Sequence, residues 1–97
     1  MGTMHGAVLV DLGDAAMGMA MGSTLAVGES FTTIELKVNF FKPVWRQKLR
    51  AVGKMIRRSK KLGYLECDIT DENGALVAKL ASTCLVLAGA EVIARST

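Results

Sequence analysis

Cysteine, proline, histidine and aromatic residues are all scarce in this chain, and the scarcity narrows what it can be. Only Cys67 and Cys84 occur, 17 positions apart, which is neither a disulfide framework nor a zinc-ligand spacing. Both fall in apolar-periodic stretches, as reduced, buried thiols do in a cytosolic protein. Pro43 is the only proline and His5 the only histidine. No basic segment precedes the first apolar run, so a secretory signal pattern is missing. That run, "MHGAVLVDLGDAAMGMA" from Met4 to Ala20, is broken by Asp11 and Asp14. A membrane-crossing helix wants about 20 predominantly apolar residues. There are no repeats, linkers or low-complexity tracts. The expectation is a soluble, cytoplasmic protein with no membrane partner.

What is present is apolar bulk. The 97 residues make one domain, 1–97, and 51% of them are hydrophobic. A chain this short buries only about two-thirds of the surface its unfolded form exposes, so self-association is expected. The net charge of +3 comes largely from Lys42, Arg46, Lys48, Arg50, Lys54, Arg57, Arg58, Lys60 and Lys61. Such an interval suits an anionic partner, either a nucleotide-like ligand or a nucleic acid. One aromatic, Trp45, and no recognisable motif make nucleic acid the weaker alternative.

The apolar pattern changes period along the chain. Residues 5–21 are rich in Ala, Leu and Met and predict one main helix ending near Gly22. Gly13 and Gly18 lie in its interior, where glycine implies close approach to a neighbouring backbone. After a loop at 23–30 the period becomes two. Ile34, Leu36, Val38 and Phe40 alternate with polar residues and predict a half-buried strand that Pro43 ends. "KLRAVGKMIRR" and "LGYLECDITD" are the next strands, the latter with Leu65, Cys67 and Ile69 on one face. Asn73-Gly74 predicts a tight hairpin in which both turn residues take positive φ. "ALVAKLASTCLVLAG" is a long last strand, and "EVIARST" reads as a frayed tail. The fold class is α+β, with one helix, apolar around most of its girth, wrapped by four antiparallel strands.

Three features could carry chemistry. Gly6, at the helix start beside His5, leaves free backbone N–H groups that can bind negative charge or stabilise an oxyanion. The plainer alternative is a permissive cap with a surface histidine. Asp11 and Asp14 are neighbours on the helix and form a solvated stripe unless one of them has a task. "RRSKKLG", Arg57 to Gly63, falls where two strands meet, as a solvated hairpin tip or a phosphate-binding loop.

Taken together, "HGAVLVDLGDAAMG", "TTIELKVNFFKP" and "RRSKKLGYLECDITDENGALVAKLASTCLVL" resemble the hotdog-fold acyl-CoA thioesterases. The similarity is strongest to the branch with the phenylacetate-degradation and Arthrobacter-type 4-hydroxybenzoyl-CoA enzymes. It covers residues 4–88. The resemblance implies a curved sheet around the helix, homodimers or homotetramers, and active sites at the subunit interface. Gly6 matches the glycine whose N–H polarises the thioester carbonyl, and Asp14 the catalytic carboxylate supplied by the partner subunit. His5 matches the preceding motif residue, and Thr33 a strand hydroxyl that helps place water or carboxylate. Arg58, Ser59, Lys60 and Lys61 match the segment near the CoA nucleotide. No metal or cofactor is implied, because CoA is part of the substrate.

Two departures from the family pattern stand out. Ala7 replaces a usual second glycine, and only Met1 to Met4 precede His5, where relatives carry a first strand. The expected sheet therefore has one strand fewer and an open edge. Asp14 lies eight residues past Gly6, about 12 Å along a helix, too far for both to act on one thioester within one subunit. Other classes remain open: an acyl-CoA-binding hotdog domain without catalysis, a nucleic-acid binder, and a hotdog dehydratase, for which His5 lacks the usual context.

Overall fold

The computed structural model describes residues 6–42 and 48–88. One helix, α1 (Gly6–Gly22), precedes four strands, β1 (Glu29–Phe40), β2 (Leu49–Arg58), β3 (Leu62–Asp71) and β4 (Leu76–Ala88). The strands form one antiparallel sheet in the order β1-β4-β3-β2. Among the described residues no helix is long and apolar enough to cross a membrane. Pro43 and the tail "EVIARST" lie outside the described residues.

Helix α1 buries one stripe. Leu9, Gly13, Met17 and Met21, spaced four apart, face the sheet and are buried. They meet Leu65, Cys67 and Ile69 of β3 and Leu80 and Cys84 of β4, so the predicted inner face of β3 is the observed one. The opposite face of the helix is open in the single chain. Asp11, Asp14, Ala15 and Met19 face outward, Met19 being 78% exposed. The helix lies mainly over β2 and β3 and touches β4 and β1 less.

Glycine sets how closely the helix approaches. A Cβ on Gly53 of β2 would stand 2.5 Å from the Ala16 carbonyl oxygen, inside the helix backbone. A Cβ on Gly13 would stand 2.6 Å from a Leu80 methyl. Gly13 thus meets a side chain, and the backbone approach expected of the helix glycines is made by Gly53 of the strand instead. Gly18 has only the Phe31 ring near, at 3.9 Å, and makes no close approach.

Strand β1 departs from its predicted burial for a topological reason. It is an edge strand that α1 touches less than it does β2 or β3. Leu36, Val38 and Phe40 face the helix side, opposite Ser82, Leu80 and Ala78 of β4. Phe40 is nonetheless 52% exposed, and Leu36 38%. Ile34 falls out of the alternation because a bulge between Thr33 and Glu35 makes it the extra residue.

The β3–β4 turn also differs in kind from the predicted one. The Gly74 N–H donates to the Asp71 carbonyl at 3.0 Å, which puts Glu72 and Asn73 at the turn centre. Gly74 alone among the glycines there takes positive φ, +84°. The Asp71 N–H donates to the Ala75 carbonyl at 3.0 Å, so three residues, Glu72 to Gly74, lie between the paired ends, the three-residue alternative to the two-residue hairpin. Asp71 organises it. Its buried carboxylate accepts the N–H groups of Asn73 and Ala75, each at 2.9 Å, and the Lys42 ammonium at 2.7 Å. Lys42 thereby ties the end of β1 to the turn.

Gly53→Ala should destabilise the fold by about 2–3 kcal/mol, because the rigid Ala16 carbonyl cannot give way. Gly22→Ala, which meets nothing within 4 Å, serves as the control in the same denaturant titration. The Lys42 hydrogen bond, followed by the Ala75 N–H, holds the Asp71 carboxyl below the usual carboxylate range. Its contribution to stability is present above the unfolded pKa of about 3.9 and is lost as pH falls through the lower folded value. Melting temperatures of wild type and Asp71→Asn should therefore differ near neutral pH and converge in strong acid.

Candidate functional site

The two ends of α1 hold different chemistry. Gly6 is the first helical residue, so its N–H is one of the donors that the helix cannot satisfy internally. His5 lies outside the described residues. Asp11 and Asp14 are both exposed. Asp14 sits about 12 Å along the axis from Gly6, so one chain does not bring the two to a single reacting atom.

Thr33 lies on the helix-facing side of β1, directly opposite Cys84 of β4. Its Oγ1 is 3.7 Å from the Cys84 sulfur, with either atom able to donate. Behind this pair Ser82 donates to the Met17 sulfur at 3.5 Å, linking β4 to the helix. Cys84 is buried, and Cys67, also buried, has its thiol pushed up by desolvation and further by the Asp68 charge. The Cys67 thiol is therefore not set up as a thiolate nucleophile.

The basic hairpin tip joins β2 to β3 at the other end of the helix. Ser59 and Leu62 close it: the Ser59 N–H donates to the Leu62 carbonyl at 2.8 Å, and the Leu62 N–H to Ser59 Oγ at 3.1 Å. Lys60 and Lys61 occupy the centre of the turn and are exposed. The Val86 N–H donates to the Lys61 carbonyl at 2.7 Å and anchors the tip to β4. A cleft of about 280 Å³ opens there, lined by Glu29, Lys60, Lys61, Leu85, Val86 and Ala88.

Arg58 is engaged within the chain. Its Nε donates to Thr24 Oγ1 at 3.0 Å, one amino group meets Glu29 Oε1 at 3.4 Å, and the other donates to the Ser59 carbonyl. The structure thus brings Arg58, Ser59, Lys60 and Lys61 together, with Thr24 and Glu29 as partners that sequence reading missed. Residues 23–30 read only as a loop, and no pattern in them signals a partner 34 positions away.

A larger recess on the outer sheet face neutralises itself. Lys79 lies 3.2 Å from Asp68 and 3.7 Å from Glu66, and Asp68 draws the Lys79 ammonium above its ordinary range. Within the basic interval, Lys42 is paired to Asp71.

Known proteins share this architecture. The profile of the Thioesterase superfamily matches residues 1–78. The BH2602 protein of Bacillus halodurans, solved with CoA, is 30% identical with a TM-score of 0.82, over 88% of this chain and 60% of that one. A phenylacetic acid degradation-related protein of Ralstonia eutropha is 27% identical with a TM-score of 0.81, over 87% and 63%. SSO2140 of Saccharolobus solfataricus, inferred to be an esterase, is 28% identical over 88 residues, 89% of this chain and 61% of that protein. The chain thus spans about three-fifths of the length of these relatives. A single helix packed on a four-stranded antiparallel sheet is the hotdog arrangement of these thioesterase structures, and the chain belongs to the Thioesterase superfamily.

Proposed function

We propose that the chain hydrolyses acyl-CoA thioesters, in a site that two copies build together. The observation that carries this reading is the placement of Asp14. It is an exposed carboxylate two turns into a helix whose first residue is Gly6, in a member of this superfamily. The Bacillus halodurans relative was solved with CoA, which supports CoA as the carrier.

In this mechanism the Gly6 N–H, at the positive end of α1, stabilises the oxyanion as the thioester carbonyl becomes tetrahedral. Asp14 of the second copy removes a proton from water as it attacks, or attacks the carbonyl itself to form an anhydride that water opens. The C–S bond breaks, and CoA leaves as a thiolate that takes up a proton. Thr33 orients the water or the carboxylate, and His5 precedes the oxyanion donor. The helix-side residues Leu36 and Phe40, uncovered in one chain, offer an apolar surface for the acyl group. The cationic tip takes the phosphate-bearing end of CoA. A homodimer or homotetramer in the cytoplasm, with no nucleic acid partner, completes the reading.

Asp14→Asn should lower kcat by about 10²–10⁴-fold without unfolding the protein. Gly6→Pro removes the N–H at a helical position that tolerates proline, and should cost a further test reaction about 10²–10³-fold. The assay is release of free thiol from phenylacetyl-, hydroxybenzoyl- and hexanoyl-CoA. Wild-type rates in Asp14→Asn would refute the assignment, and acyl-CoA binding without thiol release would leave a binding domain. Single turnover in heavy-oxygen water separates the two routes, since label entering Asp14 requires the anhydride.

A further inference from the structure

Four residues of the tip carry polar side chains, but they are not equally available. The Ser59 hydroxyl closes the turn by accepting the Leu62 N–H. The Arg58 guanidinium spends all three nitrogens on Thr24, Glu29 and the Ser59 carbonyl. Thr24 in turn donates to the Met21 carbonyl at 2.7 Å, one of the carbonyls left free at the end of α1. Arg58 therefore joins the helix C-terminus, the start of β1 and the hairpin tip. A cation there also complements the helix dipole.

Glu29 presents the chemical difficulty. It lines the same cleft as Lys60 and Lys61, so a carboxylate faces the position where phosphate would sit. An unpaired carboxylate beside a phosphate is repulsive. Here Glu29 Oε1 accepts the Ala26 N–H at 2.8 Å and lies against Arg58. Its charge is matched, and that oxygen is already engaged within the chain.

Resting on the acyl-CoA reading above, we infer that Arg58 is a positioning residue and not a phosphate ligand. Through Glu29 and Thr24 it holds the tip and neutralises the cleft, while Lys60 and Lys61 meet the CoA phosphates. The Arg58–Glu29 pair is thus the device that makes an acid-containing cleft selective for a phosphorylated carrier.

The test compares CoA with pantetheine, which lacks the nucleotide phosphates, by calorimetric Kd on the full chain. The readout is the ratio of the two, because general damage to the fold shifts both and leaves the ratio unchanged. Arg58→Gln should lower discrimination for CoA by about tenfold, on the scale of one charge-assisted hydrogen bond. Glu29→Gln removes the acid itself, so adding Arg58→Gln in that background should lower discrimination little further. Lys60→Gln with Lys61→Gln should lower discrimination independently of Glu29. If Arg58 bound phosphate directly, Arg58→Gln would lower discrimination as much in the Glu29→Gln background as in the wild type, and that result overturns the inference. Unchanged discrimination in Arg58→Gln overturns it as well, as does a wild type that binds no CoA. A wild type that binds CoA but releases no thiol defeats the hydrolase reading alone, and the Kd ratios still decide the role of Arg58.

Discussion

Helix α1 can lie on the sheet only because no side chain projects from β2 at Gly53, where the Ala16 carbonyl would stand 2.5 Å from a Cβ. That contact fixes the height of the helix above β2, and Gly13 over Leu80 fixes its height above β4. With both set, Met17 and Met21 fill the space against β3 and β4. The same placement leaves Asp14 on the outward face and directs the Gly6 end away from the basic tip. Arg58, bonded to Thr24 just past the helix, marks the opposite end of an element about 24 Å long.

An asymmetry follows from that placement. The helix covers the β2–β3 side of the sheet and leaves the inner face of β1 open, with Phe40 and Leu36 exposed. Inward-facing apolar surface is thus left uncovered in the single chain. The chemistry is divided in the same way. Gly6 and Asp14 lie two turns apart, and the exposed Lys60 and Lys61 lie at the far end of the helix. An elongated thioester substrate, charged at one end and reactive at the other, suits such a division. Assembly and catalysis are one requirement in this reading.

Elements were legible in the sequence where periodicity and burial agree. The helix, all four strands and the inner face of β3 could be read because Leu65, Cys67 and Ile69 are buried on both accounts. Reading failed where tertiary placement decides. Nothing in "TTIELKVNFF" tells that β1 would be an edge strand that the helix touches less than β2 or β3, or that a bulge would displace Ile34. The Asn73-Gly74 signal found the right turn but not its type, because the Asp71 carboxylate favours the longer form by binding two of its N–H groups. Of the candidate site residues, local pattern leaves Gly6 and Asp14 each with a plainer alternative, and Thr33 enters only through the family resemblance. Glu29 and Thr24 could not be found, because only the fold brings the loop after α1 to the tip of a distant hairpin.

The central claim is that the oxyanion donor and the carboxylate of each site come from different copies. Co-expression of Gly6→Pro with Asp14→Asn tests it most directly, since each variant alone has no intact site. In a mixed dimer, one site pairs the intact Gly6 of one copy with the intact Asp14 of the other. Half of randomly assembled dimers are mixed and each has one good site of two, so thiol release should return to about a quarter of the wild-type rate. A mixture as inactive as its components would contradict the account.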